Sequence, residues 1–156
     1  MRKAWRLVRR KRLSDAFTGE GARLGGGRWN HPGTRVVYVS ESLSLAALEQ
    51  FIHFTRNDIA LARTLLAIPV EIPAELKVIE VSREVLEKDW RLSPPSDSTR
   101  DIGTQWVEKA RSAVLRVPSA IIPEECNLLL NPQHRDFEKI RIGKERPFAL
   151  DDRMWK

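Results

Sequence analysis

Cysteine is almost absent from this chain: Cys126 stands alone among 156 residues. An internal disulfide framework is therefore excluded, and the usage fits a reducing cytosol. Histidine is scarce too. His31, His53 and His134 are scattered, H-E-x-x-H does not occur, and a single cysteine cannot complete a zinc pattern, so no metal is expected. Neither a Walker A sequence nor a G-x-S-x-G elbow is present. Gly19-Glu20-Gly21-Ala22-Arg23-Leu24-Gly25 misses the dinucleotide fingerprint by one residue. Long apolar runs are missing: none approaches the ~20 residues of a membrane helix. The basic N-terminus has no apolar h-region behind it, so it does not read as a signal peptide, and the expected location is the cytoplasm. Aromatic residues make up only 7% and no RNP-like motif appears, which weakens a direct nucleic-acid reading.

What remains describes an ordinary globular chain. Its 156 residues suit one domain over 1–156. A domain of that size buries roughly 68–70% of its unfolded surface and needs no metal or disulfide to hold a core. The hydrophobic fraction of 42% and charged fraction of 31% are typical of soluble proteins. Lys and Arg crowd the first twelve residues of a chain whose net charge is +6. That excess suits nucleic acid, an anionic small molecule or an acidic protein partner, and equally a solvated basic edge.

No repeat, low-complexity stretch or dividing linker is found. Strands are expected at 4–8, 35–39, 63–71, 76–81, 112–118, 120–122, 126–130, 136–142 and 147–150. Residues 17–33 hold six glycines and Pro32 and read as an irregular loop. Helices are expected from about 43 to 53, capped by Ser40 or Ser42, and from 98 to 110, with Asp101 near the start. Short strands with a few helices and no regular βαβ alternation indicate an α+β domain.

Three places carry chemistry that packing alone does not require. In Gly25-Gly26-Gly27-Arg28-Trp29-Asn30, glycines beside an arginine let backbone N–H groups and a guanidinium face one anion, such as a diphosphate. The plain alternative is a flexible loop with a surface arginine. In the second place, Tyr38 lies on an expected strand and Glu49 in the helix after it. Glu49 has Leu45, Ala46, Ile52 and His53 at helical spacing, so it borders the apolar stripe. A half-buried carboxylate needs a partner or a raised pKa, and such groups cluster in active sites. The alternative is a boundary Glu whose stem lies along the core. The third place is Val117-Pro118-Ser119-Ala120, followed by Asn127 and Asn131-Pro132. Ser119 sits at a strand end facing a cleft, or is a turn hydroxyl bonding its own backbone.

In this order the segments resemble the RES domain family, named for an Arg, a Glu and a Ser. The resemblance runs along nearly the whole chain, through Gly19-Glu20-Gly21-Ala22-Arg23, Gly26 to Asn30, Val36-Val37-Tyr38, Ser42 to Glu49, Leu115 to Ser119, Asn127 to Pro132 and Asp152-Arg153. The named residues would be Arg28, Glu49 and Ser119, with Arg6 and Tyr38 matching further pocket positions. Where an aromatic residue often follows the N-terminal arginine in the family, this chain has Leu7.

The resemblance implies a fold like that of diphtheria-toxin-type ADP-ribosyltransferases. It also implies a toxin that degrades NAD+ by hydrolysis or phosphorolysis, with inorganic phosphate as a possible co-substrate and no further cofactor. The implied partner is an Xre-type helix-turn-helix antitoxin in a hetero-oligomeric complex, with DNA contacted only through that antitoxin. Glu49 would stabilise positive charge on the ribose. Arg28, with Arg6, would hold the diphosphate. Tyr38 would stack on nicotinamide or close the pocket. Ser119 would bond a ribose hydroxyl or orient Arg28 or Glu49. Asn30 and Asn127 are secondary candidates. Two other readings stand beside this one: an ADP-ribosyltransferase acting on a cellular protein, and a non-enzymatic basic nucleic-acid-binding module.

Overall fold

The computed structural model describes residues 1–156. Its centre is set by strand β3 (Leu65–Ile72), where six of eight residues are buried and both faces are covered. Strand β1 (Arg2–Arg9) pairs with β3 antiparallel over its whole length, from Arg2↔Ile72 to Arg9↔Leu65. The remaining strands are β2 (Val37–Ser40), β4 (Val78–Glu80), β5 (Val114–Pro118), β6 (Cys126–Leu130), β7 (Arg141–Ile142) and β8 (Arg146–Phe148). The sheet runs β4-β5-β6-β2-β1-β3-β7, with β8 also pairing with β3. Only β4 and β5 are parallel.

The join between β2 and β1 is slight. The two strands share a single pair, Trp5↔Ser40. Beyond it the sheet splays, and the Arg6 guanidinium bridges the gap by donating to the Tyr38 carbonyl at 2.9 Å. A cleft of about 220 Å³ opens there, lined by Arg6, Arg12, Glu20, Tyr38 and Gln50 among others.

Directly paired residues share a face of the sheet. Ser40, Asn127 and Val117 form one cross-strand row, and Tyr38, Leu129 and Leu115 form the next. Over this face lie Trp29, Trp90 and Trp106, the last from helix α4 (Asp97–Lys109). On the opposite face Val37, Val114, Leu128 and Leu130 pack with Ala4, Val70 and Ile72. Leu128, Leu129 and Leu130 are wholly enclosed. Each is worth roughly 1.5–3 kcal/mol of burial, which fixes β6, the strand that carries Asn127. Helix α2 (Leu43–Phe51) covers β1 and β3, its Ala46 packing with Leu7 and Ala67. Leu150 and Trp155 close the far end against Phe54, Ala62 and Leu65. No helix is long and apolar enough to cross a membrane.

The α+β reading holds, with local corrections. Residues 17–33 contain a short helix, α1 (Glu20–Gly25), bounded by left-handed Gly19 and Gly26 and tied by an Arg23–Glu20 ion pair. Residues 120–122 are a turn, because Ser119 Oγ accepts from the Ile121 and Ile122 amides before a strand can form. In the 136–142 stretch, His134 Nδ1 accepts from the Asp136 amide and caps a 3₁₀ turn over Arg135–Lys139, leaving only Arg141–Ile142 extended. The expected 63–71 strand begins at Leu65, after helix α3 (Ile59–Ala62), which the sequence reading did not include. Ser42 rather than Ser40 caps α2, accepting from the Leu45 amide at 3.0 Å.

Candidate active site

Glu49 projects from α2 toward the ends of β5 and β6. Its Oε1 accepts from Ser119 Oγ at 2.8 Å and from Asn127 Nδ2 at 2.7 Å. Both donors are fixed from behind. Ser119 is fully buried, and its hydroxyl accepts from the amides of Ile121 (3.0 Å) and Ile122 (3.1 Å), so its one proton is directed to Glu49. Asn127 Oδ1 accepts from Ser40 Oγ at 2.6 Å, which orients the amide with its nitrogen toward Glu49. One carboxylate oxygen is thus tied to two immobile donors. The other, Oε2, accepts no hydrogen bond from the protein and is the oxygen left for a ligand.

Arg28 arrives from the α1–β2 loop. Both hydrogens of one terminal nitrogen are used, on the carbonyls of Trp90 (2.9 Å) and Leu92 (2.8 Å). The edge formed by Nε and the second terminal nitrogen makes no bond to the protein, which is the geometry for a bidentate contact with an oxyanion. Burial pushes the Arg28 guanidinium below its usual range, while Glu49 and Tyr38 oppose that shift and Arg91 adds to it. Arg28 and Glu49 therefore sense each other without forming an ion pair.

The loop bearing Arg28 is locked to the rest of the fold. Tyr38 Oη donates to Asn30 Oδ1 at 2.6 Å and accepts from the Trp29 amide at 3.1 Å. Asn30 is fully buried, and its amide nitrogen lies within hydrogen-bond reach of the carbonyls of Ala22, His31 and Thr34. Helix α4 clamps the other side. Thr104 accepts from the His31 amide, Arg100 donates to the Gly27 carbonyl at 3.3 Å, and Asp101 bonds the His31 ring at 2.6 Å. Gly103 lets the Trp29 carbonyl lie against the helix: a Cβ there would stand 1.8 Å from that oxygen.

The structure joins Glu49, Ser119 and Asn127 directly and sets Arg28 within electrostatic reach of both Glu49 and Tyr38. Asn30 has its polar atoms committed to the loop and serves as its organiser. The Tyr38 hydroxyl is likewise committed, and burial raises its pKa, so it stays a neutral phenol. Arg6 lies behind Tyr38, at the splayed join. It donates to the carbonyls of Ala16 and Tyr38, and burial lowers its pKa to about 10. Asp15 opposes that shift and Arg12 adds to it. Ser40, Arg91 and Arg100 were missed in the sequence. The first looked like a helix cap, and isolated arginines in a loop and on a helix carry no signal of what they touch.

The RES domain profile matches residues 3–151. A Photorhabdus laumondii protein named Toxin Res is 40% identical over 154 residues, covering 97% of this chain and 96% of its own length. A Sphingobium protein named Prs ADP-ribosylating toxin is 38% identical over 157 residues, covering 96% of this chain and 94% of its own. Among solved structures, a chain of the M. tuberculosis MbcT–MbcA toxin–antitoxin complex superposes with a TM-score of 0.76 at 18% identity, covering 95% of this chain and 84% of the other. The two chains share the fold of a single α+β domain. The protein belongs to the RES domain family.

Proposed function

We propose that this protein is the toxin of a toxin–antitoxin pair and that it destroys NAD+ by breaking the nicotinamide–ribose bond. The observation that carries the reading is the state of Glu49. Two buried donors hold one oxygen, the other is free, and Arg28 stands nearby with an open guanidinium edge. The names of the relatives in Photorhabdus and Sphingobium support it.

The chemistry suits these groups. When the C1′–N bond breaks, its electron pair leaves with nicotinamide, whose ring becomes neutral, and positive charge develops on the ribose, as in glycoside cleavage. A fixed carboxylate oxygen stabilises that charge without reorganising. Ser119 and Asn127 set the position of Glu49, and Arg28 offers the diphosphate a two-toothed contact. Water or inorganic phosphate then adds to C1′ and releases a proton. A second acceptor has its own support: the Sphingobium relative is named for ADP-ribosylation, in which a protein side chain takes the place of water. In the cell we place the toxin in the cytoplasm with an Xre-type helix-turn-helix antitoxin that covers the Glu49 site and alone contacts DNA.

The test is purified protein with NAD+, run with and without inorganic phosphate and with and without cell protein. Free ADP-ribose, its phosphate or labelled protein identifies the acceptor. Intact NAD+ in all arms, from folded protein, overturns the reading.

A further inference from the structure

We propose that Arg91, which lies in neither the Arg28 loop nor the Glu49 helix, is a positioning residue that locks the two halves of the site together. The inference rests on the NAD-cleaving reading above. Arg91 sits between the two residues whose carbonyls hold Arg28, namely Trp90 and Leu92. Its own guanidinium crosses to the opposite wall, donating to the carbonyl of Ala120 at 2.8 Å and to that of Ile121 at 3.4 Å. Those carbonyls belong to the turn whose amides, from Ile121 and Ile122, fix the Ser119 hydroxyl. Ser119 in turn donates to Glu49. One unbroken chain of contacts therefore runs from Arg28 through the 90–92 backbone, the Arg91 fork and the 119–122 turn to the Glu49 carboxylate.

Two features set Arg91 apart from an ordinary surface arginine. It is exposed, yet it makes no ion pair and spends its fork on two carbonyls. It also sits close enough to Arg28 for its charge to help lower the pKa of the Arg28 guanidinium. Arg28 keeps its own bonds to Trp90 and Leu92 without the Arg91 side chain. The group left loose by losing Arg91 is therefore the turn behind Ser119, and the effect falls on turnover.

The experiment compares wild type, Arg91→Ala and Arg91→Lys by melting temperature, NAD+ steady-state kinetics and amide hydrogen exchange at Ile121 and Ile122 without NAD+. Because the residue is exposed, Arg91→Ala should melt close to wild type. Its kcat should fall by about tenfold or more, toward the ~100-fold that a misplacement of about 1 Å costs, with KM changed far less. Exchange at both amides should quicken. Arg91→Lys keeps the charge but not the planar fork, so it should recover only part of kcat. Wild-type kcat and wild-type exchange in Arg91→Ala overturn the proposal. So does full recovery by Arg91→Lys, which would make Arg91 a simple charge. Should wild type itself leave NAD+ intact, the NAD reading fails, and the exchange rates alone still decide whether Arg91 holds the turn.

Discussion

Replacing Glu49 by glutamine separates charge from shape. In the folded protein Oε1 accepts two hydrogen bonds, from Ser119 and Asn127, and Oε2 accepts none. A glutamine that places its carbonyl at the Oε1 position keeps both bonds and directs its NH₂ outward, so no buried group is orphaned. Bonds to a charged acceptor are worth about 1.5–3 kcal/mol and neutral ones about 0.5–1.5. The weakening of two bonds is offset by no longer holding a half-buried charge, so net stability should shift by no more than about 1 kcal/mol. That is about 2–4 °C in Tm for a chain of this size. Catalysis responds differently. In the proposed reaction the charge acts chiefly on the cationic transition state, so its loss should appear in kcat. Removing one well-placed electrostatic contact costs about 10²–10³-fold, or about 2.7–4 kcal/mol. Glu49→Gln should therefore fold, bind NAD+ about as well as wild type, and turn over at least a hundredfold more slowly. NAD+ consumption, a melting curve and a binding titration on the same preparation check this. A folded variant within about threefold of wild-type turnover, under 1 kcal/mol in the barrier, refutes the electrostatic role.

Further outcomes follow from the same contacts. Arg28→Ala should weaken NAD+ binding more than Arg28→Lys, since an ammonium replaces only part of a bidentate contact worth about 1.5–3 kcal/mol per bond; calorimetric titration of both variants reads this. Tyr38→Phe strips the buried Asn30 oxygen of its donor and the Trp29 amide of its acceptor, so chemical denaturation should show a loss of about 1–3 kcal/mol. Gly103→Ala should fail to fold or lose several kcal/mol, since its Cβ would stand 1.8 Å from the Trp29 oxygen, whereas Gly25→Ala meets nothing within 4 Å and should be stabilising by up to about 1 kcal/mol. Glu20 is held at about 2, against 4.5 unperturbed, chiefly by its bond to Arg23. Its contribution is complete above pH 4.5 and is lost as pH falls through about 2, so Glu20→Gln should flatten the decline of Tm over that interval.

The α+β class, helix α2 with a serine cap at 40 or 42, and the direct contact-forming potential of the Glu49 and Ser119 segments were legible in the sequence. Each depends on local pattern: spacing on a helix, a strand broken by Pro-Ser. What stayed hidden depends on contacts between distant segments. Asn127 reads only as a secondary candidate within a short strand, and it is the β2–β6 register that brings it beside Ser40 and within reach of Glu49. Tyr38 reads as a ligand-facing aromatic, but its hydroxyl is spent on Asn30 and Trp29 because the Arg28 loop folds back over β2. The 120–122 stretch has β-like composition, yet one buried hydroxyl captures its amides and turns the chain.

The hydrogen bonds that fix Glu49 have a consequence for synthesis. Ser119 lies 70 residues beyond it and Asn127 lies 78 beyond it. At about 5–20 residues per second, a ribosome needs roughly 4–16 s after adding Glu49 before Asn127 is joined to the chain. Through that interval the nascent protein carries the carboxylate without the strand that orients it. A message cut short upstream of Asn127 yields a chain whose Glu49 lacks that donor, so the carboxylate acquires its fixed geometry only after strand β6 has been made.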